Sequence, residues 1–375
     1  MIGFNRPYMT GEELNNISQA HQRYQLAGDG SFTKECQEWL KRYTNSQGVL
    51  LTHSCTAALE MTALLAKLKA GDEVIMPSFT FVSTANAFTL RGAVPVFVDI
   101  KPETLNINED LIEESITTKT KAIVVVHYAG VAAEMDKIIA LAKKYKLLVI
   151  EDAAQGVMAQ YKGQALGAIG DMGTFSFHET KNIISGEGGC IILNKEGLLS
   201  DAEIIREKGT NRSKFFRGEV DKYTWVDTGS SYLPGEIISA FLMAQLNHAK
   251  KITSNRLKIW NYYFNEFEAL EQTGFVRRPT IPKYCEHNGH IFYLIFNDIK
   301  LRDLFIAFMK KNGVQCVFHY IPLHTSPYYI NTYKKDLFLP MTEKLSQSIV
   351  RLPIWLGIEK HLEYITKTAY HFFNL

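Results

Sequence analysis

The chain has 375 residues, 46% hydrophobic and 21% charged, which supplies a substantial core and excludes a disordered protein. Its 41 basic and 39 acidic residues leave a net charge of +2, so neither a nucleic-acid-binding surface nor a polybasic membrane surface is expected. The start, Met1-Ile-Gly-Phe-Asn-Arg-Pro, lacks the layout of a signal peptide, and no apolar run is long enough for a membrane span.

Five cysteines (Cys36, Cys55, Cys190, Cys285, Cys316) form no CxxC pair and point to a reduced, cytoplasmic chain. The length corresponds to about two and a half average domains. From Val49 to Leu193, apolar runs alternate with amphipathic stretches. Strands are predicted at Glu73–Met76, Val94–Ile100, Ala122–Tyr128, Leu147–Glu151, Gly173–Phe177 and Cys190–Leu193, and helices at Thr56–Lys69 and Glu134–Tyr145. Val- and Ile-rich runs without polar alternation suit strands buried on both faces of a mostly parallel sheet. The strand-helix-strand order predicts an α/β fold. A helical pattern from Glu236 to about Leu270 is too long for one ordinary helix, so a bend or break is expected. Beyond it, strands at His290–Phe296 and Gln315–Tyr320, a helix at Arg302–Asn312 and two final helices predict a smaller C-terminal α/β lobe. The expected units are residues 1–245 and 246–375.

Three segments carry chemistry. Thr52-His-Ser-Cys-Thr-Ala-Ala-Leu59 leads from a strand through hydroxyl residues into a helix, a context for an anion site or an ordinary helix cap. In Leu147-Leu-Val-Ile-Glu-Asp-Ala-Ala-Gln155, two carboxylates end a buried strand, where open α/β sheets place ligands. No metal-ligand spacing recruits His127 or His178 to them, so no metal is expected. Gly173-Thr-Phe-Ser-Phe-His-Glu-Thr-Lys-Asn182, followed by Ser185-Gly-Glu-Gly-Gly-Cys190, sets one lysine between two apolar strands. A buried lysine of lowered pKa is the natural partner of an aldehyde cofactor. Lysine, acid and anion cradle together match the needs of pyridoxal phosphate. Phe79 or Phe81, in Pro77-Ser-Phe-Thr-Phe-Val-Ser-Thr-Ala-Asn86, could face its ring.

These motifs, with Val126-His-Tyr-Ala-Gly130 and Phe318-His-Tyr-Ile-Pro-Leu-His324, resemble the DegT/DnrJ group of sugar-nucleotide aminotransferases over nearly the whole chain. The resemblance implies aminotransferase fold type I, a large domain with a mostly parallel central sheet plus a smaller C-terminal α/β domain. It implies Lys181 as the lysine joined to the cofactor aldehyde, Asp152 as the partner of the ring nitrogen and Gln155 at the 3′-oxygen. Ser176 with the Thr56 and Ala57 backbone would hold the phosphate, and Phe81 would stack on the ring. Tyr320 and His324 would line the sugar pocket, and Arg217 would reach a diphosphate across a homodimer with shared sites. Leu233 stands where many members place an asparagine that reaches the partner's phosphate. Gly28–Thr33, Glu207–Ser213 and Phe215–Trp225 resemble members that aminate C4 of dTDP-4-keto-6-deoxy-D-glucose, with L-glutamate as donor. Such enzymes make sugars for lipopolysaccharide O-antigen or enterobacterial common antigen. A sugar dehydratase of this fold would replace Lys181, usually by histidine. A regulator would lack Asp152 or Lys181, and a nicotinamide-dependent reductase would carry an early GxGxxG.

Overall fold

A computed structural model describes residues 1–334 and 336–374. Seven strands form the central sheet in the order Gly48–Thr52, Gly189–Leu193, Met172–Ser176, Leu148–Asp152, Thr120–Val126, Glu73–Pro77, Val94–Val98. All neighbours pair in parallel except Gly189–Leu193, which runs antiparallel to both strands beside it. Every strand expected in this half is present within a few residues of its predicted bounds. Burial explains why these sequences suit a sheet covered on both faces. Val149 packs in one core layer with Ile123, Val125 and Phe175, while Ile150 packs in the other with Ala122, Val124 and Ile191.

The long helical pattern breaks as expected. It resolves into Glu236–Asn247, Ala249–Glu266 and Glu268–Gln272, interrupted at His248 and Phe267. The C-terminal lobe is built on a three-stranded antiparallel sheet, with Phe292–Phe296 between Val276–Arg277 and Ile349–Leu352. Here two expectations fail. Residues 315–320 form no continuous strand, because among the described residues that stretch pairs its backbone with the sheet through a single bridge from Val317 to Arg351. The strand partner is instead Ile349–Leu352, within a region read as purely helical. The N-terminus also crosses to this lobe, where Ile2 bridges Val314 and Trp355 Nε1 donates to the Gly3 carbonyl at 3.0 Å. The five cysteines are free and buried, and among the described residues no helix is long and apolar enough to cross a membrane.

One buried carboxylate fastens the N-terminal helices to the large lobe. Glu236, 1% exposed, accepts from the N–H groups of Gly30 (3.1 Å), Phe32 (2.9 Å) and Thr33 (3.0 Å) and from the Thr33 hydroxyl. These are the orphan donors at the start of helix Ser31–Thr44, which has no side-chain cap of its own. Gly30 permits the approach, since a Cβ there would lie 2.3 Å from Glu236 Cδ. Glu236→Ala leaves several buried donors unmatched. It should lower unfolding free energy by roughly 2–5 kcal/mol in urea titrations, whereas alanine at the exposed Glu363 should leave the midpoint nearly unchanged.

Candidate active site

At the carboxyl ends of the parallel strands, a cavity of about 590 Å³ is lined by Thr56, Phe81, Asp152, Gln155, Ser176, Lys181 and Tyr320. Seven residues scattered over 265 positions of sequence thus meet at one edge of the sheet. This is the crevice where open α/β folds bind ligands.

Lys181 projects from a tight loop after strand Met172–Ser176. The loop is closed by Phe177 N to Gly188 O (2.8 Å), Ser185 N to Phe177 O (2.7 Å) and Glu179 N to Gly186 O (2.8 Å). Asn182 fixes it to the C-terminal lobe, donating to the Asn288 carbonyl at 3.0 Å and accepting from His290 Nδ1 at 2.8 Å. The Lys181 ammonium makes no hydrogen bond or ion pair among the described residues, and burial pulls its pKa below the ordinary lysine value. The nearby Arg351 charge pulls it the same way, while Cys55 and Asp152 oppose the shift. An amine held in that condition is suited to join an aldehyde.

Asp152 takes a hydrogen bond from Thr84 Oγ1 at 2.6 Å and another from Ala154 N at 3.2 Å, so its carboxylate is oriented from two sides. Thr84 is itself paired with Thr80 at 2.7 Å. Its neighbour Glu151 points through the opposite face of the sheet. There it accepts from Gly167 N (2.8 Å), Ile169 N (2.7 Å), Gly170 N (2.6 Å) and His127 Nε2 (2.8 Å). Glu151 is therefore a fully matched structural acid, and Asp152 alone of the pair faces the cavity.

The anion cradle is made of hydroxyls and a helix start. Thr56 Oγ1 lies 2.8 Å from Ser83 Oγ, and Ser176 lines the same cavity. Ser54 caps helix Cys55–Leu65 by accepting from Ala57 N at 3.1 Å. The Ala57 N–H expected at the phosphate is thus already engaged. The N–H groups of Cys55 and Thr56 have no acceptor among the described residues and remain for an anion. Gly189 lets its strand pass this turn, because a Cβ there would meet Cys55 N at 2.4 Å. Gln155 is locked by Ala129 N to Oε1 at 2.6 Å and by Nε2 to the Tyr320 hydroxyl at 3.1 Å. Of the two phenylalanines, Phe79 is fully buried between Tyr128 and Tyr320, at centroid distances of 5.1 and 5.6 Å, whereas Phe81 opens on the cavity. Lysine, acid, aromatic face and anion cradle supply the groups that pyridoxal phosphate needs, with the Cys55 and Thr56 N–H groups in place of that of Ala57.

Three residues singled out from the resemblance are not on the lining of this cavity. His324 is buried away from the cavity lining, with Nδ1 2.7 Å from Ser78 Oγ and Nε2 3.1 Å from Glu343 Oε1. Its place on the lining is taken by His319, five residues earlier. Arg217 lies at the surface in a two-pronged pair with Glu203 (2.9 and 3.0 Å) and a further bond to Glu219 (2.6 Å), so its donors are matched within the chain. Leu233 packs over Gly28, where its side chain leaves no room for a Cβ. Sequence reasoning also missed Arg256, Arg351, His290 and Asn5 on the cavity wall. Arg351 had a usable signal, as a lone charge inside the apolar run Ile349-Val-Arg-Leu-Pro-Ile354.

The histidines on the C-terminal lobe's side give a pH signature. Burial, with Lys181 and Arg351 nearby, holds His290 and His319 well below the usual histidine pKa, and burial beside Trp260 brings His287 down to about 4. The unfolded chain binds protons near pH ~6.5 that the folded chain refuses, so this stability is present above that pH and lost as pH falls. The urea midpoint should drop between about pH 7 and about pH 5, at up to about 1.4 kcal/mol per pH unit per histidine. His287→Asn should flatten that slope.

Comparison with known proteins agrees with the fold. The model of the DegT/DnrJ/EryC1/StrS aminotransferase family matches residues 7–368. The uncharacterized protein MJ1066 of Methanocaldococcus jannaschii is 37% identical over 358 residues, 93% of this chain and 92% of its own. The putative sugar aminotransferase Spr1654 from Streptococcus pneumoniae, in its PMP form, superposes with a TM-score of 0.92 at 25% identity over 99% of both chains. An aminotransferase from Psychrobacter cryohalolentis superposes at 0.93, also with 25% identity and 99% coverage of each. The chain belongs to the DegT/DnrJ/EryC1/StrS aminotransferase family, with aminotransferase fold type I and pyridoxal phosphate as its cofactor.

Proposed function

We propose that this aminotransferase moves an amino group from L-glutamate to C4 of dTDP-4-keto-6-deoxy-D-glucose, giving dTDP-4-amino-4,6-dideoxy-D-galactose. The observation that carries the reading is Lys181, an unpaired buried amine, sharing one cavity with an oriented Asp152. Likeness to a putative sugar aminotransferase of Streptococcus pneumoniae supports a sugar acceptor. The C4 assignment rests on the resemblance in Gly28–Thr33 and Glu207–Trp225. Bound pyridoxal phosphate supplies an electron sink that makes the hydrogen on the amino-bearing carbon acidic. Lys181 removes that proton and returns one to the acceptor carbon, and burial lowers the pKa of its amine in the direction a base requires. Asp152, held by Thr84, keeps the cofactor ring nitrogen protonated. Ser176, Thr56 and the free N–H groups before Ala57 would hold the phosphate, and Phe81 would face the ring. We place the enzyme in the cytoplasm as a homodimer. Exposed Phe216, Tyr223, Trp225 and Val226 on one segment, with exposed Phe81 and Val82, offer the apolar surface a second copy would cover.

Lys181→Arg should keep the positive charge yet lose turnover by at least roughly 1,000-fold in a coupled assay with L-glutamate and the keto sugar. Asp152→Asn should slow proton abstraction by roughly 100-fold or more while cofactor still binds, measured by solvent-exchange of the donor α-hydrogen. Near-normal rates in either variant would overturn the assigned role.

Proton NMR of the product tests the substrate claim. Lys181 delivers its proton from one side only, so the pose of the sugar fixes the epimer. A small H3–H4 coupling is expected for the axial amine. A large one would mean the gluco product, dTDP-4-amino-4,6-dideoxy-D-glucose. Amination of a 3-keto-6-deoxy sugar nucleotide, with the 4-keto sugar left unreacted, would reject the C4 assignment.

A further inference from the structure

The loop that carries Lys181 is tied to the rest of the protein unevenly. Residues 182–185 are buried, and Asn182 is bonded to Asn288 and His290. Residues 178–181 lie at the rim, where Glu179 and Thr180 are exposed. Their hydrogen bonds run within the loop itself, from Glu179 N to Gly186 O, from Lys181 N to His178 O at 2.9 Å and from Thr180 N to His178 Nδ1 at 3.2 Å. Among the described residues, one hydrogen bond reaches this half from outside residues 176–188, from Asn5 Nδ2 to the Glu179 carbonyl at 3.3 Å. Asn5 ends a short N-terminal strap whose preceding residues are held by the other lobe. Ile2 N donates to Gly313 O at 2.7 Å, and Ile2 O accepts from Gln315 N at 3.0 Å. Phe4 N donates to Gln315 Oε1 at 3.2 Å, and the Phe4 ring lies 4.7 Å beneath the guanidinium carbon of Arg351. Phe4 and Asn5 both line the cavity. The strap is thus carried by the C-terminal lobe and meets the lysine loop two residues before Lys181.

We propose that Asn5 is a positioning residue for Lys181, and that the strap of residues 2–5 sets the lysine loop according to where the C-terminal lobe stands. This rests on the aminotransferase reading, in which Lys181 moves the proton in both half-reactions. The lysine amine ends a flexible four-carbon stem, so its direction depends on how firmly the backbone beneath it is held. Asn182 holds that backbone on the C-terminal side of Lys181, and Asn5 holds it on the N-terminal side. With Asn5 released, residues 178–181 keep only the bonds they make within the loop. A reacting group left loose by a fraction of an ångström loses rate, because its productive geometry is visited less often. Asn5 lines the cavity, so direct contact with a substrate is the rival reading. The two make opposite kinetic predictions. A lost binding contact raises KM, whereas lost positioning of Lys181 lowers the rate constants and leaves KM alone.

The test follows the holoenzyme in single-turnover spectroscopy, with L-glutamate for the first half-reaction and the keto sugar for the second. Asn5→Asp sets a carboxylate against the Glu179 carbonyl. It should lower the rate constants of both halves by the same factor, about 3–10-fold, with both apparent KM values within about twofold of wild type. Asn5→Gln keeps the amide donor and should recover part of the loss. Gln315→Ala removes the acceptor for Phe4 at a residue off the cavity lining, and should act in the same direction by about 2–3-fold. Hydrogen exchange read by mass spectrometry reports on the loop without turnover. In Asn5→Asp, the amides of residues 179–181 should exchange at least about threefold faster, while those of strand Gly189–Leu193 stay as in wild type. A raised KM with unchanged rate constants, a loss confined to one half-reaction, or unchanged exchange at residues 179–181 would overturn the proposal. If wild type transferred no amino group, the aminotransferase reading itself would fail, and the exchange measurement would still decide whether Asn5 holds the loop.

Discussion

Two adjacent carboxylates on one fully buried strand cannot face the same way. Side chains of a strand alternate across the sheet, so Ile150 and Asp152 share one face and Val149 and Glu151 the other. That constraint separates a structural acid from a functional one within a dipeptide. Glu151 on its face gathers four donors and pins residues 167–170 against the sheet. Asp152 on its face is left with two bonds and an open side toward the cavity. His127 reinforces the division, since Ala133 N donates to its Nδ1 at 3.2 Å and so leaves Nε2 carrying the proton given to Glu151.

The second feature is an accumulation of poorly solvated bases around the cavity. Lys181, Arg256, Arg351, His290 and His319 all line the cavity, and burial lowers the pKa of each. Most globular cores avoid such a set, because desolvating charge is expensive and unpaired charge more so. The arrangement is sensible when its ligands are anions: a phosphate-bearing cofactor and a carboxylate-bearing donor. Stability is given up locally for a site that strengthens each electrostatic contact once water is displaced.

The loop that carries Lys181 is held by contacts that cross between lobes. Asn288 donates to the Gln155 and Val157 carbonyls at 2.7 and 2.8 Å, and its own carbonyl accepts from Asn182. The residue after Lys181, the backbone at Gln155 and the neighbour of His290 thus form one hydrogen-bonded unit. The first residues of the chain add a second tie, joining the C-terminal lobe at Val314 and Gln315 to the lysine loop at Glu179. A site assembled from both lobes depends on how the two pack together.

The parallel sheet was legible in the sequence because its strands are short Val/Ile-rich runs buried on both faces, a local pattern that composition reveals. That Lys181, Asp152 and Ser176 would lie at one edge of that sheet was legible as well, since each ends or follows such a run. Other features were decided only by tertiary contacts. Residues 315–320 look strand-like but lie along an edge that offers a single bridge, while Ile349–Leu352 gains strand geometry from pairing with Phe292–Phe296. His319 and His324 differ in nothing local. The irregular chain between them has no period to say which faces inward, and Ser78, 246 residues away, captures His324. Arg217 in sequence is a free cation, but the helix Leu198–Arg206 brings Glu203 beneath it. Arg351 is a cavity residue because two backbone partners distant in sequence fix its strand and a phenylalanine from the N-terminus supports its side chain. Sequence determines which residues are buried and which are chemically unusual through local pattern, whereas the direction a functional side chain points depends on long-range partners that no window of sequence contains.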